Sequence, residues 1–385
     1  MKLRVASLNA WALPDPLGES VSERIRAIGF ELPRVAPDVI GFQEVWTPSA
    51  RRSLARAGRD VGLSHAWCAD DALGAGGLLL LSRWPLENAR LQRFSLPQLP
   101  PRPDHPDYYV SKGFIDVRLA TPAGPVRLIT THLQARYGRH VRHEYRAVRV
   151  GQVIEIAAAL ESAREPVVLL GDLNFQETDD EYRVLTGLTQ LRDAAGAVGW
   201  RKPTVDSNNP FRSKLVRDKR VDYVFVRDGD RSGLRVEAVR NGFDQPFEID
   251  GRPATFSNHS GLIAELELHD SPRPLSGPTR AAAALAAALL AEGRARSERL
   301  REDARLIASV GWGAALVASL GGRHQTLSRR RLLRTGLSAA ALAALTPGVG
   351  YTLLAEVFAP DELAAYDRMS VLLAAVAKQP GPRIS

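Results

Sequence analysis

Short apolar runs that end in polar residues recur along the first part of the chain. Residues 2–8 alternate between polar and apolar side chains, which predicts a strand that ends at Asn9. Residues 38–44 form an apolar run that ends in the carboxylate of Glu44. The four apolar residues 167–170 are typical of a strand buried on both faces. The pattern therefore predicts several strands with polar side chains at their ends.

The rest of the pattern predicts a mixed α/β architecture. Further strands are predicted over residues 76–82, 112–119, 126–132, 221–226, 234–239 and 261–268, and helices over residues 21–35 and 143–162. Residues 122–124 contain proline and glycine and predict a hairpin. Because strands and helices interleave while hairpins are frequent, we expect an α/β fold, a four-layer sandwich of two mixed β-sheets flanked by helices.

The composition divides the chain into two regions and a connection. Residues 1–270 carry the strand pattern and are expected to form one domain. Residues 271–279 are rich in proline and predict a linker. Residues 280–385 are rich in alanine and leucine, interrupted by arginines, and predict an α-helical C-terminal region.

Composition narrows the class of protein. Hydrophobic residues make up 45% and charged residues 24% of the 385 positions, which is ordinary for a globular protein. The single Cys68 excludes an internal disulfide framework and a cysteine-based zinc site, and it fits a reducing compartment. The chain begins directly with a strand pattern, so no N-terminal signal peptide is expected. We expect a cytoplasmic or membrane-associated protein.

The basic charge is concentrated in the C-terminal region. The formal net charge is +8, and residues 271–385 contain 15 lysines and arginines against eight acidic residues. The first 270 residues are therefore close to neutral. A domain that grips a polyanion along its surface is usually strongly basic, so nucleic acid is the less expected partner.

Asp172 and Asn174 are the first candidates for a functional site. They follow the buried strand pattern two positions apart, so in an extended chain both side chains point the same way. A carboxylate and an amide in that arrangement suit a hard cation and a polarised water. The alternative is an ordinary turn, because Asp and Asn are common turn formers.

Other polar residues occupy equivalent places at the ends of predicted strands. They are Asn9, Glu44, Lys112, His132, Asp222 and His259. Each of them alone could be a surface or loop residue. Their recurrence predicts that several strand ends converge on one cleft, where rigid elements hold the reacting groups.

Six short motifs give the chain a resemblance to a known family. They are Ser7-Leu-Asn9-Ala-Trp11, Gln43-Glu44, Thr131-His132-Leu133, Gly171-Asp172-Leu-Asn174, Val221-Asp222-Tyr223 and Ser257-Asn-His259. In this order they resemble the endonuclease/exonuclease/phosphatase superfamily, which would make residues 1–270 its catalytic domain. Within that superfamily, three further matches are most similar to the neutral sphingomyelinases. These are Ser111-Lys112-Gly113-Phe114, residues 131–135 and the pair Arg149 and Gln152.

The resemblance implies catalytic roles for residues at the strand ends. His259 would be the general base that takes a proton from water, and Asp222 would orient it. Asp172 and Asn174 would orient the nucleophile. His132 would donate a hydrogen bond to a phosphate oxygen in the transition state. Lys112 belongs with these residues and distinguishes the sphingomyelinases from the nucleases.

The resemblance also implies a Mg²⁺ cofactor. Glu44, with Asn9 near it, would bind an oxygen-ligand ion that neutralises charge on the scissile phosphate. The family usually has Asp before the last His, but this chain has Asn258. An amide keeps a carbonyl ligand and loses the charge, so we expect weaker metal binding at Asn258 and no loss of activity.

Two uncharged stretches in the C-terminal region bear on membranes. Residues 306–322 and 335–355 flank a basic segment, as in a membrane hairpin. The first stretch is short and the second contains Pro347 and Gly348, so packing as a soluble or interfacial helical bundle is an equal alternative. In either case the basic, apolar region would hold the enzyme at an anionic membrane surface.

The sequence therefore predicts a Mg²⁺-dependent phosphodiesterase that hydrolyses the headgroup of a phospholipid similar to sphingomyelin. A metal-dependent nuclease is the alternative from another substrate class. A third hypothesis, raised by Asn258, is a membrane-binding module whose catalytic site has decayed. The sequence leaves the lipid and the oligomeric state open.

Overall fold

The structure is a computed structural model and describes residues 1–14, 16–69, 77–96, 110–136, 145–212, 217–323 and 345–378. Its framework is two six-stranded sheets. The first contains, in spatial order, β11 (Gly233–Gly242), β14 (Gly261–His269), β1 (Lys2–Ala12), β2 (Val39–Val45), β4 (Leu79–Ser82) and β3 (His65–Cys68). The second contains β5 (Leu86–Arg93), β6 (Gly113–Thr121), β7 (Gly124–His132), β8 (Val167–Asp172), β10 (Asp222–Arg227) and β9 (Arg192–Asp193). Strands β12 (Phe247–Ile249) and β13 (Arg252–Ala254) form a separate small ribbon.

Both sheets are mixed, as the sequence predicts. Strand β1 is parallel to β2 and antiparallel to β14. Strand β7 is parallel to β8 and antiparallel to β6, which follows from the predicted hairpin. Parallel neighbours end at the same edge of their sheet, so β1 and β2 in one sheet, and β7 and β8 in the other, each deliver two strand ends to one place.

Helices cover the outer face of each sheet. They are α1 (Val21–Val35), α2 (Pro48–Asp60), α3 (Arg146–Ala159), α4 (Asp180–Thr189), α6 (Arg280–Arg323) and α7 (Ala359–Ala377). The short α5 (Ala194–Ala197) instead contributes Ala194 and Ala195 to the core between the sheets. Helices α1 and α2 bury Ile28 and Leu54 in a core with the first sheet. Helices α3, α4, α6 and α7 share a core with the second sheet. The four-layer sandwich predicted from the sequence is confirmed.

Strand β8 shows why its sequence is continuously apolar. Val168 and Leu170 pack into the core between the two sheets. Val167 and Leu169 point the other way, into the core beneath the helices. A strand with a packed layer on each side buries every side chain, and all six residues of β8 are buried.

The C-terminal region forms an antiparallel helical pair. Helix α6 is continuous over 44 residues, about 66 Å at the usual rise per residue. Residues 345–353 are helical and lead through a π-helical turn (Leu354–Phe358) into α7. The contacts across the pair include Trp312 to Thr352, Arg305 to Glu356 and Ser297 to Glu362. The order of these contacts shows that the two helical segments run in opposite directions.

The structure changes the expectation for the uncharged stretches. Residues 306–322 form the second half of α6 rather than an element of their own. Of the second stretch, residues 335–344 lie outside the described residues. Within the described residues, one helix is long and apolar enough to cross a membrane, over Arg280–Leu320, by length and composition only. This is weak support for membrane association.

Candidate active site

Strand register brings the predicted residues of the second sheet to one edge. In adjacent strands, Gly113 is paired with His132, His132 with Asp172, and Asp172 with Asp222. Lys112 directly precedes Gly113. The side chains of Lys112, His132, Asp172 and Asp222 therefore lie in one row across the sheet, at the start of β6 and along β7, β8 and β10. This convergence was predicted from the recurrence of polar residues at strand ends.

Asn9 and Glu44 reach the same place from the first sheet. Asn9 Nδ2 donates to Glu44 Oε1 at 2.8 Å and to Asp172 Oδ2 at 3.1 Å. The second of these bonds crosses from one sheet to the other. Asn9 Oδ1 accepts from Trp11 N at 3.0 Å. In this orientation Asn9 holds two carboxylates, and its amide would have to turn over for its oxygen to contact an ion.

His259 and Asp222 form a buried pair. His259 Nδ1 lies 2.9 Å from Asp222 Oδ2, and His259 Nε2 lies 4.0 Å from Asp172 Oδ2. Burial works to lower the pKa of His259, but Asp222 and Asp172 outweigh it and hold that pKa above its usual value. The carboxylate fixes one ring nitrogen and leaves the other facing the site, which is how a histidine base is oriented.

Asp172 is the centre of the cluster. Asp172 is 2% exposed, and its Oδ2 lies 3.5 Å from Nε2 of His132. Burial, together with the negative charge of Asp222, raises the pKa of Asp172 to about 6, although His259 and Asn9 oppose the shift. A carboxyl with so perturbed a pKa in a cluster of polar groups is typical of a functional site.

Lys112 and His132 are neighbours at this edge. Lys112 Nζ lies 3.1 Å from each ring nitrogen of His132, and both side chains are buried. The ring of His132 is also 3.9 Å from Glu44, measured from Nε2 to Oε1. The ammonium group therefore joins the cluster through the histidine.

Asn174 departs from the expected extended conformation. Its φ of 53° lies in the left-handed region, so the chain turns immediately after β8. Its backbone N–H donates to Asp172 Oδ1 at 3.0 Å, and its Nδ2 donates to Leu133 O at 3.0 Å. The prediction that Asp172 and Asn174 point the same way off an extended strand is therefore wrong. Asn174 instead holds the Asp172 carboxylate through its backbone and ties β8 to the end of β7.

Backbone strain occurs at the strand ends that form the cluster, as well as elsewhere in the molecule. Trp11 and Glu44 also have positive φ values, 47° and 56°. Left-handed conformations are costly for such large side chains and persist where the surrounding structure holds them. Gly171 has φ 146°, and a Cβ there would lie 2.0 Å from Thr131 O. Only glycine allows the strands before Asp172 and His132 to approach this closely.

The cluster suits a divalent metal. Ligand atoms of Asp172, Asp222 and His259 all lie within 4.8 Å of one another. Asp222 Oδ1 is buried and has no hydrogen-bond partner within the described parts of the chain. Glu44, predicted to be the main Mg²⁺ ligand, keeps its Oε2 free of hydrogen bonds to described residues, and its side chain is 20% exposed. Hard oxygen donors of this kind, two of them not engaged elsewhere, fit a hard divalent cation.

Asn258 occupies the turn before His259. It is half-buried, and Ser257 Oγ lies 3.4 Å from its side-chain oxygen. Ser257 Oγ also donates to Asn9 O at 2.6 Å and accepts from His259 N at 3.2 Å. Ser257 thus joins the Asn9 strand end to the His259 turn, a role that nothing in its sequence context indicates.

Arg24 supports the site, and sequence reasoning missed it. It lies in α1, and one of its partners, Phe256, is 232 positions further along the chain. It is fully buried and donates to Ala10 O, Trp11 O and Phe256 O at 2.9, 2.8 and 3.2 Å. Its guanidinium lies 4.8 Å from the Trp11 ring centroid. Burial lowers the pKa of Arg24 to about 10, and nearby glutamates oppose the shift. Arg24 therefore ties the Asn9 strand end to the segment before His259.

The Arg149 and Gln152 motif has a structural explanation. Arg149 donates to Glu181 Oε1 at 2.9 Å and to Gln134 O at 3.2 Å. Gln152 Oε1 accepts from Gln134 N at 2.9 Å. Both side chains hold Gln134, two residues beyond His132. The motif fixes the chain that leaves the site.

Comparison with known proteins identifies the family. The family model "Endonuclease/Exonuclease/phosphatase family" matches residues 6–259, a range that includes every candidate site residue. The chain belongs to this family. The resemblance predicted from the six motifs is thereby confirmed.

Curated relatives in this family carry sphingomyelinase names. A "Putative neutral sphingomyelinase" of Drosophila melanogaster is 29% identical over 276 residues, which cover 70% of this chain and 61% of that protein. "Sphingomyelin phosphodiesterase 2" of Rattus norvegicus is 28% identical over 332 residues, which cover 82% of this chain and 76% of that protein. The match to the Drosophila protein thus spans less than two thirds of its length. Together with the family, these relatives support an enzyme of the phosphodiesterase or phosphatase type.

Solved structures share the fold. Sphingomyelinase C from Streptomyces griseocarneus has a TM-score of 0.54 at 21% identity, covering 69% of this chain and 99% of that one. D. rerio TDP2, solved with a single-strand DNA product, has a TM-score of 0.54 at 18% identity and the same coverage. A Staphylococcus aureus beta toxin mutant with bound magnesium ions also scores 0.54 at 17% identity, covering 70% of this chain and 100% of that one. Identities this low establish the fold alone.

Proposed function

We propose that this chain is a divalent-metal-dependent phosphodiesterase that hydrolyses a sphingomyelin-like phospholipid and releases the phosphorylated headgroup. The observation that supports this most directly is the buried His259–Asp222 pair beside Asp172, a geometry suited to generating a nucleophile from water. The substrate class comes from the names of the relatives and from the Lys112 motif.

The chain's own residues account for the proton transfers. His259 Nε2 takes a proton from water, and the remaining hydroxide attacks phosphorus. Asp222 stabilises the resulting imidazolium through Nδ1. A new P–O bond forms, the bond to the lipid oxygen breaks, and that oxygen leaves as an alkoxide. The alkoxide takes a proton from solvent water to become an alcohol, and the His259 imidazolium releases its proton to solvent, so one water is consumed in total. His259 must be neutral before attack. In that form its proton lies on Nδ1, which donates to Asp222, and Nε2 accepts the proton from water.

Other residues of the cluster orient the reacting groups. Asp172 lies within reach of both His132 and His259, so it is placed to hold the attacking water between them. His132, supported by Lys112, is placed to donate to a phosphate oxygen as charge develops; removing such a donor costs on the order of 10²–10³ in rate. Glu44, with Asn9 and Asn258 as further candidate ligands, would hold a divalent cation, and Mg²⁺ is the expected ion. When bound, the ion would neutralise charge on the phosphate.

Hydrolysis of defined substrates tests the proposal. The full chain is incubated with choline-sphingolipid vesicles, with inositol-phosphate sphingolipid vesicles and with plasmid DNA, each with Mg²⁺ and with chelator. Water-soluble headgroup phosphate is measured for the lipids and strand breaks for DNA. We expect metal-dependent headgroup release and no DNA cleavage. His259→Ala removes the base and abolishes release, whereas His269→Ala, at the far end of β14, serves as the matched control.

The test also separates the two alternatives. Cleavage of DNA without lipid hydrolysis would identify a nuclease, a function consistent with the fold shared with TDP2. Membrane binding that is unchanged in His259→Ala, with no hydrolysis of any substrate by the unaltered chain, would favour a binding module with a decayed site.

Attachment to a membrane surface is the second part of the proposal. An apolar stripe on the distal half of α6 contains Leu306, Val310 and Val317, which are 67%, 65% and 71% exposed. Their spacing of four and seven residues places them on one face of the helix. An exposed apolar stripe on a helix fits the interface of a bilayer.

Flotation with vesicles containing anionic phospholipid tests the attachment. The variant L306Q/V310Q/V317Q should lose most of its flotation, because it replaces the apolar stripe and leaves the buried side of α6 unchanged. Val371→Gln is the matched control, since Val371 is 73% exposed on α7, outside the stripe. Equal flotation of the triple variant and the unaltered chain would contradict the attachment.

A further inference from the structure

We propose that Arg212 and Lys219 form a phosphate-binding cation pair on the wall of the catalytic cleft. The pair would contact the non-bridging oxygens of the substrate's phosphate, and this assignment rests on the proposed phosphodiesterase function. Neither residue belongs to the six motifs. Both lie on the segment that leads into β10 and Asp222, and none of the motifs explains that segment.

Arg212 is anchored beside the histidine base. Its Nε donates to Asn258 O at 3.1 Å, the carbonyl directly before His259. The same segment is held by Asn209, whose Nδ2 donates to Ser257 O at 2.8 Å. One nitrogen of the guanidinium is therefore committed to the His259 turn. The terminal nitrogens form no hydrogen bond to any described residue, and a guanidinium fork suits two phosphate oxygens.

Lys219 is fixed by backbone bonds close to Asp222. It pairs with Val205 through Lys219 N to Val205 O at 3.0 Å and Val205 N to Lys219 O at 2.9 Å. The neighbouring Thr204 accepts from Asp222 N through its Oγ1 at 3.3 Å. The backbone carbonyl of Thr204 accepts from Ser260 N at 2.8 Å. One short segment therefore positions Lys219, Asp222 and the turn after His259 together.

Neither cation forms an ion pair with the acidic cluster, although the charge of the cluster acts on both. Burial lowers the pKa of Arg212, and the negative charges of Asp172, Glu44 and Asp222 oppose that shift. Burial and the charge of Arg212 lower the pKa of Lys219, while Asp172 and Asp222 oppose the shift. Yet no carboxylate of the described chain lies within 4.0 Å of either cation. Partly buried cations that carboxylates attract but do not contact are available to an anion placed between them.

The alternative is that the cation pair only offsets the negative charge of the cluster. Both explanations predict tighter metal binding when a cation is removed, because the nearby positive charge repels the ion. They differ in anion binding. A pair that binds phosphate loses affinity for phosphate when either cation is neutralised, whereas a pair that only balances charge does not.

Calorimetric titration of inorganic phosphate into the full chain decides between them. Arg212→Gln and Lys219→Gln are compared with the unaltered protein, in Mg²⁺ and in chelator. Arg217→Gln is the matched control, because Arg217 is exposed and lies two residues before Lys219. We expect phosphate affinity to fall about tenfold or more in each test variant, the usual effect of losing a charged hydrogen bond, and to stay within about twofold in the control.

The charge-preserving changes Arg212→Lys and Lys219→Arg guard against misfolding. They should retain more phosphate affinity than the glutamine variants, and thermal melts confirm that all variants are folded. No measurable phosphate binding by the unaltered chain, or equal affinity in the glutamine variants, would overturn the assignment. The result is independent of the substrate. If no lipid is hydrolysed but phosphate affinity still depends on the two cations, the proposed function is wrong and the cation pair stands.

Discussion

At the scale of single residues, the site depends on side chains that hold one another in place. His259 is fixed by Asp222, Asp172 by Asn9 and by the Asn174 backbone, and each bond is 2.9–3.1 Å long. Positive φ values at Glu44 and Asn174 show that the backbone accepts strain to reach this arrangement. The chemistry therefore depends on orientation as much as on residue type.

Replacing Asp222 by Asn tests the orientation of the base. Asn keeps the volume of Asp but loses the charge that stabilises the imidazolium and selects its tautomer. We expect kcat for headgroup release to fall on the order of 10³-fold or more, with little change in KM. Asp270→Asn, an exposed position after β14, is the control. Steady-state kinetics on both variants makes the comparison, and unchanged kcat in Asp222→Asn would remove Asp222 from the mechanism.

Replacing Gly171 by Ala tests the close approach of β7 and β8. The added Cβ would collide with Thr131 O, and alanine is strained at φ 146°. We expect a loss of roughly 2 kcal/mol or more in the free energy of unfolding. Gly196→Ala is the control, because the atom nearest to its added methyl group would be 3.6 Å away and its φ is unstrained. Urea denaturation measures both, and equal midpoints would contradict the steric argument.

At the scale of elements, part of the site follows from local pattern and part does not. Residues 167–170 are apolar at every position, so a buried strand ending near Asp172 could be predicted from them alone. The turn at Asn174 could not, because an extended chain and a left-handed turn are both open to Asn in sequence. The contacts of Arg24 with Phe256, of Ser257 with Asn9 and of Thr204 with Ser260 escaped prediction for another reason. These partners are distant in sequence and become neighbours only in the folded sandwich.

Charge on the outer face of the second sheet gives a pH-dependent prediction. Asp116 on β6 lies 2.7 Å from both Arg90 on β5 and Arg127 on β7. Burial alone would raise the pKa of Asp116, but hydrogen bonds and charge from Arg127 and Arg90 hold it below its usual value. A lowered pKa in the folded state means that the ionised carboxylate stabilises the fold above the unfolded pKa near 4. That stability is lost as the pH falls below this value.

Asp116→Asn should therefore lower the free energy of unfolding by roughly 3 kcal/mol at pH 7, because Arg127 is left buried without its partner. The variant should also show a flatter decline of the free energy of unfolding below about pH 4. The exposed pair of Glu87 and Arg118 provides the control. Glu87→Gln should change stability by less than about 1 kcal/mol. Denaturation at a series of pH values checks both, and an unchanged acid limb in Asp116→Asn would refute the assignment.

At the scale of the whole molecule, the C-terminal helices are part of the packed structure. Leu290 of α6 and Leu373 of α7 lie in the same core as Ile154 of α3 and Leu169 of β8. The composition predicts a boundary at residues 271–279, because the proline-rich run separates two different patterns. Composition does not show which face of α6 packs against the sandwich. Within its 44 residues, one half of α6 is packed and the other half is exposed.

Truncation tests this packing. A chain that ends at Asp270 would expose the side of α3 and α4 that α6 and α7 cover. We expect a lower melting temperature or aggregation, because burying this much apolar surface contributes several kcal/mol at about 25 cal/mol per Å². A chain that ends at Lys378 retains both helices and is the control. Equal melting temperatures for the two chains would show that residues 1–270 are stable without the helices.

The central claim is that the converging strand ends form one metal-dependent centre that activates water. Hydrolysis of the lipid in ¹⁸O-labelled water, with and without chelator, tests it most directly. We expect one ¹⁸O atom in the released headgroup phosphate, loss of release in chelator, recovery on adding Mg²⁺, and no release by His259→Ala. Full release in chelator, or release by His259→Ala at the unaltered rate, would contradict it.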